Sequence, residues 1–188
     1  MAANRLCPHL HDVDRDFGAF VVMLDPAPEP DVDAVVEVVR AAADPVMHLV
    51  FPLIRPPPSA FERFSGKVAR ELRKAFARPP VMATFHPELA GDSDDPHRLI
   101  GLIRRAPDPF VQLIPDGYQE GGTVFAPLAE AAAMAAAEKV EWSQRNFDKL
   151  RGAALDRLLA LIAEIHADRE RAYAPFIEAL RSASNGRT

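Results

Sequence analysis

The chain has 188 residues, 48% hydrophobic and 26% charged, a balance that fits one soluble globular domain, with or without an appendage. A net charge of −5 and a pI near 5.7 supply no basic field for a phosphate backbone, and no apolar run reaches the roughly 18–20 residues of a membrane span. Nucleic acid and membrane are therefore not expected partners; with Cys7 as the only cysteine no disulfide can close within the chain, and because residues 1–10 lack the apolar core of a signal peptide a cytoplasmic protein is expected.

Eighteen prolines, in short clusters, punctuate the chain. Phe17 to Leu24 is a continuous apolar run stopped by Asp25 and Pro26, the pattern of a buried strand. Asp31 can cap a helix in which Val32, Val35, Val36 and Val39 recur at helical spacing. After Asp44-Pro45, Val46 to Ile54 reads as a second buried strand, ending near Pro52. Ser59 and Glu62 have the spacing of a capping box, and Phe61, Phe64, Val68, Leu72 and Phe76 form an apolar stripe behind it. Val81 to His86 is a third strand, 96–105 allows a helical turn or two, and Phe110 to Ile114 is a fourth strand.

Composition changes after residue 122. An alanine-rich stretch, 127–139, precedes a helix from Leu150 to His166 with a restart near Pro175. The series Leu155, Leu158, Leu159, Ile162, Ile165 must bury one side of that helix or offer it to a partner. The expectation is an α/β fold, with α+β as the alternative: a small, mostly parallel four-stranded sheet joined by right-handed crossovers, with packed helices. Residues 1–122 would form the α/β core and 123–188 a helical C-terminal extension, packed on the core as one domain.

Four segments carry a resemblance: Leu6-Cys7-Pro8, His48-Leu49-Val50-Phe51-Pro52, Phe85-His86-Pro87-Glu88 with Ala90-Gly91, and Arg104-Arg105-Ala106-Pro107-Asp108-Pro109. In this order they resemble a bacterial family designated domain of unknown function 1415, over about residues 5–115. The chain departs from the family pattern at Arg104, which replaces an asparagine. It departs again in Val111-Gln112-Leu113-Ile114-Pro115, which lacks a histidine and an arginine. The resemblance selects residues and implies no reaction.

In open sheets built by βαβ crossovers, ligands bind beyond the carboxyl ends of the strands, and His86 ends the third strand. An imidazole beside Arg105 suits proton transfer on, or binding of, an anionic small molecule: His86 as acid/base, Arg105 as anion holder, Cys7 folded over them. Arg104, Glu88 and Gln112 are the associated substrate-binding candidates. The bland alternative is a His86 that hydrogen-bonds a backbone carbonyl. Cys7, His9 and His11 alternate in an extended segment and, with His86, could hold zinc or copper; Cys-Pro is also a weak haem-ligation signature, and the alternatives are a reactive thiol nucleophile, with Cys7 catalytic, or a structural cysteine with no cofactor. His48, inside a strand, reads as a hydrogen-bonded core residue. Two classes of function follow. One is a small-molecule enzyme or ligand-binding protein with its site at the sheet edge. The other is a non-catalytic binding protein acting through its helical C-terminal third, with a homodimer through those helices as one form.

Overall fold

A computed structural model describes residues 18–42, 46–115 and 143–185. Its elements are β1 (Ala19–Val22), α1 (Val32–Ala41), β2 (Met47–Val50), α2 (Pro58–Ala75), β3 (Val81–Phe85), α3 (Leu99–Ile103), β4 (Phe110–Ile114) and α4 (Ala153–Asn185), with a further helical stretch at 143–149 before α4. The expected α/β class is observed. No helix among the described residues is long and apolar enough to cross a membrane.

Local chemistry explains the boundaries. Asp31 caps α1 by accepting the Asp33 N–H at 2.9 Å. The expected capping box of α2 does not form: the helix starts two residues earlier, with Pro57 at the N-cap, Pro58 as its first residue and no side-chain cap. Proline has no N–H to satisfy and a φ already helical, so Pro58 takes the first helical position and draws Ser59 into the first turn. The stripe Phe61, Phe64, Val68, Leu72 is buried as expected. Ser65, also buried on that face, returns its hydroxyl to the Phe61 carbonyl at 2.9 Å. The expected restart near Pro175 is corrected as well, since α4 runs through it. Pro175 and Arg171 are both exposed, so the carbonyl that loses its helical donor can be solvated.

The strand order is β1-β2-β4-β3, with β1 and β2 parallel and β4 antiparallel to both β2 and β3. The sheet is mixed, and the expectation of a mostly parallel sheet is corrected. The reason lies between β3 and β4. A parallel return needs a helix that travels the length of a strand, about 17 Å here, whereas α3 has five residues, about 7.5 Å. The chain therefore re-enters from the end where β3 stopped. One edge of the sheet thus collects the carboxyl ends of β1, β2 and β3 and the amino end of β4, as the register Val22 with Val50, Val50 with Phe110 and Phe85 with Phe110 requires.

Met47, Leu49, Val111 and Leu113 face α1 and α2 and form the core with Val35, Val36, Phe51, Ile54, Phe61, Phe64, Val68 and Leu72. The opposite face carries a row of π-systems across all four strands. Phe20 stacks on His48 with centroids 4.5 Å apart, His48 lies 5.9 Å from Phe110, Phe110 stacks on Phe85 at 4.1 Å, and the Arg104 guanidinium lies 5.7 Å over Phe85.

The chain divides into two compact units. One groups Ala90–Ile103 with the described residues up to Leu159. In it a Cβ on Gly101 would lie 1.9 Å from the Ala90 carbonyl and one on Gly91 2.6 Å from the Leu102 nitrogen, so the Ala90-Gly91 segment is held by close backbone approach. The other unit contains the sheet, α1, α2 and the part of α4 from Ala160 onward.

Candidate functional site

The sheet edge is organised by a shortage of donors. Beyond β2 the chain runs Phe51-Pro52-Leu53-Ile54-Arg55-Pro56-Pro57-Pro58, in which four residues have no backbone N–H while every residue keeps its carbonyl. Side chains supply what the loop lacks. Arg169 Nη2 donates to Pro52 O at 3.3 Å, Arg181 Nε and Nη2 to Leu53 O at 3.1 and 3.0 Å, Arg55 Nη1 to Ile54 O at 3.3 Å, and His86 Nε2 to Pro56 O at 2.9 Å. Four side chains thus close four neighbouring acceptors.

Arg169 is the centre of this arrangement. It is 7% exposed, and its Nε and Nη2 reach Asp108 at 3.0 and 2.7 Å while Nη1 donates to Glu170 at 2.8 Å. Arg55 Nη1 shares Asp108 at 2.9 Å. Burial disfavours the Arg169 cation, but hydrogen bonds and charge from Asp108, then Glu170, outweigh it and hold the guanidinium above its ordinary value. The sequence-based candidates omitted Arg55, Asp108, Arg169 and Arg181. A usable signal existed for Arg169: it follows Leu155, Leu158, Ile162 and His166 at three- and four-residue steps, so helical spacing places a charge on the apolar side.

His86 lies at this edge, as expected, and is buried there. It is 2% exposed, Nε2 donates to the Pro56 carbonyl, and Nδ1 accepts the Glu88 N–H at 3.1 Å. Those two bonds fix the neutral tautomer and leave neither nitrogen to exchange a proton with a ligand. Burial is the main cause that pushes its pKa below the ordinary value, against opposing contributions from the Pro56 carbonyl and the Glu88 charge. Arg104 and Arg105 staple the same turn: Arg104 O accepts the His86 N–H at 3.2 Å and Arg105 Nε donates to Leu89 O at 3.0 Å. Glu88 is exposed and enters through its backbone.

Gln112 is not part of that turn. It is buried within β4, opposite His48 in the register, with Nε2 2.9 Å from His48 Nε2. His48 is a buried, hydrogen-bonded residue, as expected, with its pKa lowered chiefly by desolvation. Cys7, His9 and His11 lie outside the described residues, as does the alanine-rich stretch 127–139. Among the described residues no group of three His, Cys, Asp or Glu side chains is placed to hold a metal ion. His97 donates its backbone N–H to Asp95 in the polar loop before α3.

Comparisons of the chain with family models, with curated proteins and with solved structures find no match.

A substitution tests the role of His86. His86→Ala orphans the Pro56 carbonyl and the Glu88 N–H, so we expect a loss of about 1–3 kcal/mol at pH 8 in denaturant melts. Because the folded-state pKa lies below the unfolded value, this histidine's contribution is complete above about pH 6.5 and is lost as pH falls through that value toward the folded pKa. The gap between wild type and variant should therefore narrow at pH 5. A variant as stable as wild type at pH 8 would return His86 to the accessible site.

Proposed function

We propose that this protein is a non-catalytic interaction protein and that the exposed side of α4 is its working surface. The observation that carries this reading is the concentration of exposed apolar side chains there: Leu161 is 48%, Ile165 45% and Phe176 70% exposed. Folding leaves isolated apolar residues on any surface, but a run along one helix is the usual mark of a contact face. A shallow depression of about 450 Å³ lined by Leu161, Glu164, Ile165 and Asp168 lies on the same side. The edge network supports the reading from beneath, since Arg169 and Arg181 tether α4 to the loop after β2 by backbone carbonyls, and a fixed helix loses less entropy when a partner docks. The enzyme reading needs a proton carrier, and both ring nitrogens of His86 are engaged by backbone.

Photo-crosslinking tests the surface without knowledge of the partner. A photoreactive residue at Phe176 or Ile165 should give an adduct of discrete mass in living cells, while the same residue at Arg40, exposed on α1, should not. Equal labelling at all three positions, or none, would remove the reading.

A further inference from the structure

The exposed residues of α4 carry a charge pattern that is complementary to its own reverse, and we infer that the partner is a second copy of this chain, packed antiparallel along α4. The inference rests on the reading of α4 as an interaction surface. Arg157, Glu164, Arg171 and Glu178 are exposed and follow one another at steps of seven residues, so they line one flank of the helix with alternating sign. Leu161, Ile165, Ala172 and Phe176 lie beside them, all exposed, on an arc about 60° wide at 100° per residue. In heptad terms, Ile165 and Ala172 take position a, Leu161 and Asp168 position d, and the four charges position g.

Two such helices related by a two-fold axis bring flank against flank and apolar arc against apolar arc. With position a of one copy level with position d of the other, Leu161 meets Ala172 and Ile165 meets Asp168. That register sets Glu164 opposite Arg171 and Arg157 opposite Glu178, each pair formed twice. Every flank charge meets its opposite. A parallel arrangement would set the same charges against position e, which holds Ile162, Arg169 and Phe176; Arg169, the one cation of these three, is buried against Asp108 of its own chain, so the glutamates at 164 and 178 would gain no attraction. Within one chain Arg171 leans on Asp168 at 2.9 Å with both side chains mostly exposed, and an ion pair in water holds its members weakly. Turning Arg171 toward a partner glutamate therefore costs little.

Light scattering on the full chain, over a concentration series at low salt, should show a species of twice the 20.6 kDa chain mass. Glu164→Arg should set like charges against Arg171, and Arg171→Glu should set them against Glu164, each raising the dimer dissociation constant roughly tenfold or more. The double variant E164R/R171E restores opposite signs and should return the constant to near wild type. Helical circular dichroism of each variant, unchanged because both positions are exposed, guards against a folding artefact. A chain that stays monomeric throughout, or a dimer whose strength ignores the charge swap, overturns the self-pairing. A monomer whose Phe176 crosslinks to a protein of another mass overturns the self-pairing alone, whereas a dimer with no crosslink at 165 or 176 overturns the working surface as well.

Discussion

Asp108→Ala is expected to destabilise the protein by about 3–5 kcal/mol, because it removes one member of a buried pair and leaves the Arg169 guanidinium, 7% exposed, with only the exposed carboxylate of Glu170. Against a typical total of about 5–15 kcal/mol this is a large fraction, and the melting temperature should fall by roughly 10 °C. The effect should not be that of a simple lost contact. Asp108→Leu combined with Arg169→Met removes both charges and should recover much of the loss, because the expensive state is the unpaired ion and not the missing pair. Recovery will be incomplete: methionine cannot donate to the Pro52 carbonyl, which Arg169 also serves. Urea melts of the two single variants and the double variant measure the coupling. Single variants within about 1 kcal/mol of wild type would mean that water already satisfies this edge.

Phe51→Ala is expected to cost about 3–5 kcal/mol by a different route. Phe51 is fully buried immediately after β2 and meets Phe61 and Phe64 of α2 edge-on, with centroids 5.7 and 5.4 Å apart. Its removal leaves a cavity between sheet and helix that neither ring can fill without leaving its rotamer. Phe176→Ala is the informative contrast. With that ring 70% exposed, truncation should change monomer stability by less than about 0.5 kcal/mol. Equal losses for the two variants in thermal melts would contradict the division of aromatic residues between core and surface.

Much of the fold was legible because burial writes periodicity. The α2 stripe and the valines of α1 repeat at helical spacing, and Phe110 to Ile114 stands out between prolines and polar residues. Strand direction was not legible, since an antiparallel β4 has the same composition as a parallel one. Only the five-residue length of α3 distinguishes the two returns, and 96–105 as a sequence does not disclose how much of it is helical. The place of the site was legible, and the partners of its residues were not. Pro87 directly after His86 marked a special turn, yet a histidine that moves protons and one that serves two backbone groups follow the same spacing rules. The partners that decide between them, Pro56 and Glu88, are known only once the chain is folded. Arg169 and Asp108, 61 residues apart, identify each other only in space.

The position of β4 between β2 and β3 has a consequence for the order of synthesis. β2, α2 and β3 leave the ribosome in sequence, but neither strand can bond to the other, because the place between them belongs to residues 110–114. At about 5–20 residues per second, the sixty or so residues from β2 to β4 occupy roughly 3–12 s. Through that interval the apolar strand Met47–Val50 has β1 on one side and an open edge on the other, the kind of edge that templates aggregation. The nascent chain is most exposed to misassembly just before β4 emerges. Nascent chains in which residues 110–114 have not yet cleared the ribosome should therefore be the forms that chaperones hold, and those in which they have cleared it the first that they release.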